Sequence, residues 1–181
     1  MLDEINQVKR DAILLHEQSE VEAALDNMAA AITEKLSDKN PLVLCVINGG
    51  IIATGKLLPK LDFPLTLDSI HASRYRNATA GNDIHWLFTP TTPLAGRHVL
   101  IVDDILDEGH TLAAIVDWCR EQGARSVYAA ALLDKDLGCE KPISADFIGL
   151  RVANHYLFGY GMDYKGYLRN AAGIYACKEI L

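Results

Sequence analysis

Residues 99–112, V-L-I-V-D-D-I-L-D-E-G-H-T-L, constrain the fold more than any other stretch. Val99, Leu100, Ile101 and Val102 form a short apolar run rich in β-branched side chains, as in a strand covered on both faces. Two adjacent carboxylates, Asp103 and Asp104, end that run. Asp107-Glu108-Gly109-His110-Thr111 then turns into a second apolar pattern, Leu112, Ala113, Ile115, Val116 and Cys119, which has helical spacing. Strand, acidic end, glycine turn and helix start, in that order, place ligand-binding groups at the carboxyl edge of a parallel sheet.

The remaining chain fits the same kind of sheet. Ser19 and Glu22 match the S-x-x-E capping box. Val21, Ala24, Leu25, Met28, Ala29, Ile32 and Leu36 follow at helical steps, so the spacing predicts a helix over 20–37, stopped by Asn40-Pro41. Residues 42–47 read as a strand, and Asn48-Gly49-Gly50 leads into a helix over 52–58. Residues 64–72 and 84–88 read as strands flanking a polar segment, 73–83, which suits a lid or a surface hairpin. Gly123 stops the central helix. Residues 126–133 read as a buried strand ending at Asp134-Lys135-Asp136. Short strands are predicted over 147–150, 156–160 and 174–177, with one helical turn over 164–170. Residues 1–18 show only a short apolar group at 12–15. Strands alternating with helices through short loops predict an α/β fold with a mostly parallel sheet.

A chain of 181 residues suits one domain with a substantial core. Its net charge of −7 argues against broad electrostatic attachment to nucleic acid or to an anionic membrane. The four cysteines show no C-x-x-C pair, no charged-then-apolar leader opens the chain, and no apolar run reaches membrane-spanning length. A reducing cytoplasm is the expected compartment.

Several residues carry chemistry at the predicted sheet edge. Asp103 and Asp104 point to opposite faces of an extended segment. They can accept hydrogen bonds from vicinal ribose hydroxyls and help hold a hydrated Mg²⁺, or they can simply cap a solvated strand end. Glycines at 49 and 50 let bare backbone approach an anion, or make a tight turn. Amides around Gly109, with the Thr111 hydroxyl, form a candidate phosphate nest. Glu108 opposes an anion there, and protonated His110 partly offsets it. Asp107 is a candidate general acid/base. Lys135 is a donor at a strand end or a surface lysine. Tyr156 is a stacking platform or a core aromatic. Asp163 and Arg169, beside Tyr164 and Tyr167, read in isolation as surface charges.

Taken together, these motifs resemble the type I phosphoribosyltransferases, and more narrowly their 6-oxopurine branch. V-L-I-V-D-D-I-L-D-E-G-H-T-L resembles the phosphoribosyl-pyrophosphate motif, and L-C-V-I-N-G-G the pyrophosphate loop. Lys135 falls at the base-reading lysine. Within H-Y-L-F-G-Y-G-M-D-Y, Tyr156, Leu157 and Asp163 fall at the stacking aromatic, the backbone base contact and a second acid. Arg169 falls at a pyrophosphate-contacting arginine. The resemblance runs in order from about residue 42 onward.

The resemblance implies a core over about 19–135, a small hood from about 136–181 joined by residues 1–18, and a flexible lid. It implies Mg²⁺-dependent transfer of ribose 5-phosphate from phosphoribosyl pyrophosphate to hypoxanthine or guanine. The products are IMP or GMP and pyrophosphate, and the implied assembly is a homodimer or homotetramer. Asp103 and Asp104 would bind the ribose, and with Asp163 the metal. The turn from Asp107 through Thr111 would bind the 5′-phosphate, with Asp107 also handling the purine N7 proton. Asn48, Gly49, Arg74, Tyr75 and Arg169 would contact pyrophosphate. Lys135, Tyr156, Leu157 and Asp163 would bind the base.

This chain departs from the branch at three places. Glu108 stands where Thr or Ser is usual, Asn48 where Lys is frequent, and Arg74-Tyr75 where Ser-Tyr is frequent. The branch also allows a cis peptide before position 48, so Ile47–Asn48 is expected to be unusual. Two rival readings are a xanthine-guanine preference and a regulatory nucleotide-binding protein without turnover. Glu108 gives the second of these its weight.

Overall fold

The computed structural model describes residues 1–74 and 84–178, with only the backbone of Arg74. Two sheets share the chain. The larger has six strands, β2 (Leu42–Val46), β3 (Thr66–Arg74), β4 (Ile84–Phe88), β5 (His98–Leu106), β6 (Ser126–Asp136) and β7 (Phe147–Ala153), in the order β4-β3-β2-β5-β6-β7. Every pairing is parallel except β3 with β4, the two arms around the polar segment. The smaller sheet is antiparallel, order β1-β9-β8, from β1 (Ile13–Glu17), β8 (Leu157–Phe158) and β9 (Gly173–Ala176). Because β7 belongs to the larger sheet, the second sheet draws its C-terminal strands only from residues beyond Ala153.

The central strand is buried on both faces, as its composition predicts. Leu100 and Val102 join one apolar cluster, together with Leu25, Met28 and Ile32 of helix α2 (Gln18–Leu36) and Ala53 and Leu57 of helix α3 (Gly50–Leu57). Val99 and Ile101 face the other way, into a cluster with Leu112, Ile115, Val116 and Cys119 of helix α4 (His110–Glu121). Each fully buried leucine or isoleucine here contributes roughly 1.5–3 kcal/mol from removal of apolar surface. Alternation across one strand therefore ties helices to both faces and fixes which strand ends reach the site.

Near the start of the chain the structure differs from the local sequence signals. Helix α1 (Leu2–Asp11) precedes β1, which runs directly into α2. The α2 N-cap is Glu17, whose capping box is closed by Glu20. Ser19 is not the cap, and its hydroxyl donates to the Glu17 carboxylate instead. Glu22 is likewise drawn away from capping, to Lys56 at 2.7 Å and the Tyr160 hydroxyl at 3.0 Å. The predicted helical turn over 164–170 is a tight reversal, in which Tyr164 and Tyr167 exchange backbone hydrogen bonds at 2.9 Å.

Candidate active site

β5 and β6 carry the charged groups. The strand does not end at the two acids: β5 continues to Leu106 because the longer β6 supplies partners, with Asp103 opposite Ala131 and Leu106 opposite Asp134. Asp104 is buried, while Asp103 is half-buried and its Oδ1 accepts the Asp104 N–H at 2.9 Å. Desolvation, followed by the Asp104 charge, holds Asp103 well above the usual carboxylate range. Desolvation raises Asp104 as well, and the Arg169 guanidinium opposes the rise in both.

The loop after β2 closes over Asp104. The Ile47–Asn48 peptide is cis, in line with the sequence expectation, and Asn48 is exposed. Gly49 packs so tightly on Asp104 that a Cβ there would overlap the carboxylate. Gly161 reaches the same point from the C-terminal segment, at φ +110°, and a Cβ on it would collide with the Gly49 carbonyl oxygen. Gly161 was not singled out in the sequence. Its signal was the G-Y-G pattern just before Asp163, which suits close backbone approach.

Beyond β5, the turn holds Asp107, exposed Glu108, and Gly109 at φ +84°, which is the N-cap of α4. His110 and Thr111 occupy the first turn of α4, whose N–H groups lack intrahelical partners and are suited to an anion. Lys135 is buried on β6, and its ammonium donates to the Asp107 carboxylate at 3.0 Å. The structure thus brings together the two residues assigned to proton transfer and base reading.

The C-terminal segment completes the surroundings. Leu157 is buried, and Tyr156 is half-exposed, edge-on to Tyr164 at 5.6 Å. Asp163 accepts from Arg169 at 2.6 Å and from the Gly166 N–H at 2.7 Å. Among the described residues, no three His, Cys, Asp or Glu side chains are grouped to hold a metal, so Asp163 does not form a ready triad with Asp103 and Asp104. The adjacent pair alone still suits Mg²⁺, which needs one or two carboxylates and takes its other ligands from water and phosphate. The Arg74 side chain and Tyr75, like most of the predicted lid, lie outside the described residues. A cleft of about 1110 Å³ lies along the end of β6, the loop after it and α4, and of the predicted site residues only Lys135 lines it.

A parallel sheet with paired acids and a glycine-capped helix at its carboxyl edge presents polar groups where open sheets of this kind take their ligands. Residues 14–165 match the phosphoribosyl transferase domain family, and the chain belongs to that family. Within it, the chain is 32% identical over 180 residues to the hypoxanthine-guanine-xanthine phosphoribosyltransferase of Tritrichomonas foetus, covering 99% of this chain and 95% of that one. It is 33% identical to the hypoxanthine-guanine phosphoribosyltransferase of Streptococcus pneumoniae over 96% of both. A solved hypoxanthine-guanine-xanthine phosphoribosyltransferase superposes with a TM-score of 0.80 at 32% identity, over 94% of this chain and 97% of that one. These similarities place the chain in the 6-oxopurine branch.

Proposed function

We propose that this protein transfers ribose 5-phosphate from phosphoribosyl pyrophosphate to N9 of hypoxanthine or guanine, releasing pyrophosphate and forming IMP or GMP. The observation that carries the reading is the Lys135–Asp107 pair beside Asp103 and Asp104 on adjacent strand ends. As pyrophosphate leaves, positive charge develops on the ribose. Asp103 and Asp104 hold the ribose hydroxyls, and their charge favours that developing cation. Asp103 and Asp104 would hold a bound Mg²⁺, which would supply charge neutralisation to the leaving pyrophosphate. The amides around Asn48 and Gly49, with Arg169, receive the leaving group.

Asp107 takes the purine N7 proton. Lys135 donates to the 6-oxo oxygen, so a 6-amino purine leaves a buried ammonium without an acceptor. Tyr156 stacks on the base, the Leu157 backbone reads its edge, and the first turn of α4 holds the 5′-phosphate.

A cytoplasmic location belongs to the same proposal and suits four cysteines that are all free thiols. Assembly as a homodimer or homotetramer is supported by exposed Ile51, Leu67, Leu87 and Phe88 on α3, β3 and β4, and light scattering tests it.

The deciding experiment incubates the protein with phosphoribosyl pyrophosphate, Mg²⁺ and one of hypoxanthine, guanine, xanthine or adenine, and measures the nucleotide formed. Product from hypoxanthine or guanine is expected, and none from adenine. Failure with every base rules out the enzyme. The name of the Tritrichomonas foetus relative includes xanthine, so product from xanthine would extend the substrate range in its direction.

A further inference from the structure

Lys141 lies in the loop between β6 and β7, outside every sequence motif named above. Its side chain is only 12% exposed, and a lysine that deep must be paired. It is paired twice. The ammonium donates to the Leu106 carbonyl at 2.8 Å and to Asp134 Oδ1 at 2.7 Å. Leu106 is the residue before Asp107, and Asp134 is the residue before Lys135. The two are direct partners in the β5–β6 ladder. One ammonium therefore bridges the last rung beneath the Lys135–Asp107 pair. The same loop also supports the phosphate turn. A Cβ on Gly109 would meet Pro142 Cδ at 3.4 Å and Ile143 Cγ2 at 3.5 Å, so these two side chains lie beside the turn with room for little more than a methyl group between.

We propose that Lys141 is a positioning residue that clamps the ends of β5 and β6, fixing the Asp107 carboxylate and the phosphate turn relative to Lys135. It touches neither substrate nor the reacting atoms; it acts through Leu106 and Asp134. This inference rests on the phosphoribosyltransferase reading for its catalytic consequence but not for its structural one. A displacement on the order of 1 Å at a positioned acid/base lowers turnover by about 100-fold, so a loosened clamp is expected to reduce kcat by about 10- to 100-fold.

The test compares wild type with Lys141→Met, Lys141→Arg and Asp134→Asn, using steady-state turnover and amide hydrogen exchange. In Lys141→Met, kcat should fall by the stated factor and exchange at residues 107–110 should quicken, while β2 amides stay protected. Lys141→Arg should restore most of both, because it keeps a donor to the carbonyl and the carboxylate. Asp134→Asn should move both readouts the same way by a smaller factor. The clamp is refuted if Lys141→Met or Asp134→Asn leaves kcat and exchange at 107–110 as in wild type. If Lys141→Met does not fold, Lys141→Arg and Asp134→Asn decide. If wild type forms no nucleotide, the functional reading fails, and exchange alone still decides the clamp.

Discussion

The Lys135 ammonium and the Asp107 carboxylate meet at 3.0 Å across the carboxyl ends of two adjacent parallel strands. Asp107→Asn is expected to lower kcat by about 10²–10⁴-fold, the range for loss of a positioned acid/base. Its effect on stability should stay within about 1 kcal/mol, because the Asp107 side chain is 48% exposed and its attraction is screened. Steady-state kinetics and denaturant titration of the same variant separate the two effects. Near wild-type turnover would remove Asp107 from its role.

On the proposed reading, Lys135 discriminates between 6-oxo and 6-amino purines. Lys135→Met is expected to reduce kcat/KM for hypoxanthine and guanine by about 10- to 100-fold, the worth of one buried charge-assisted hydrogen bond. Activity with adenine should not fall with it. A uniform loss in KM for phosphoribosyl pyrophosphate would instead place Lys135 on the phosphate side.

Gly161→Ala tests the approach of the C-terminal segment to the pyrophosphate loop. A Cβ there would collide with the Gly49 carbonyl at a φ of +110°, where side chains are strained. The expected cost is about 2–3 kcal/mol of stability, together with a raised KM for phosphoribosyl pyrophosphate. Chemical denaturation and a substrate titration measure the two. A variant as stable as wild type would show that the loop yields freely.

Asp103 provides a pH prediction. Desolvation and the neighbouring Asp104 charge raise its folded-state pKa, so ionised Asp103 opposes folding. That opposition is complete above the folded pKa. It is relieved as pH falls through that value towards the ordinary carboxylate range, because the folded chain then binds the proton more tightly than the unfolded one. Asp103→Asn should therefore melt higher than wild type at pH 7 in the absence of ligand, with the gain shrinking on acidification, and should lose turnover. Calorimetry across that pH range reads the sign directly, and a lower melting temperature at pH 7 would contradict it.

Glu108 is exposed in the turn after β5 that is proposed to bind the 5′-phosphate. If its carboxylate points away from the bound phosphate, Glu108→Thr should change KM for phosphoribosyl pyrophosphate by no more than about twofold, the scale of an ordinary surface substitution. A sharp tightening would mean that the carboxylate repels the ligand.

The sequence revealed the parallel sheet better than the parts packed against it. Val99, Leu100, Ile101 and Val102 announce a doubly covered strand because their burial is local and uninterrupted. β1 gave no such sign: Ile13 and Leu14 remain exposed, and its stability comes from pairing with β9, far away in sequence. The helix start was misplaced for the same reason, since Ser19 and Glu22 matched a local motif while Glu17 and Glu20 formed the cap. Asp103, Asp104, Asp107 and Lys135 could be singled out because they stand in a recognisable order along β5, the turn after it and β6. Lys141 and Gly161 were not, because one acts through a backbone carbonyl and the other through a missing side chain.

The pairing of β1 with β9 has a consequence for biogenesis. Leu14 and Tyr175 are opposite each other, yet the whole parallel sheet is translated between them. On the ribosome, the parallel sheet can assemble while its antiparallel neighbour is still missing a strand. Chains arrested before Gly173 should therefore protect β2, β5 and β6 from protease and leave residues 13–17 open to cleavage.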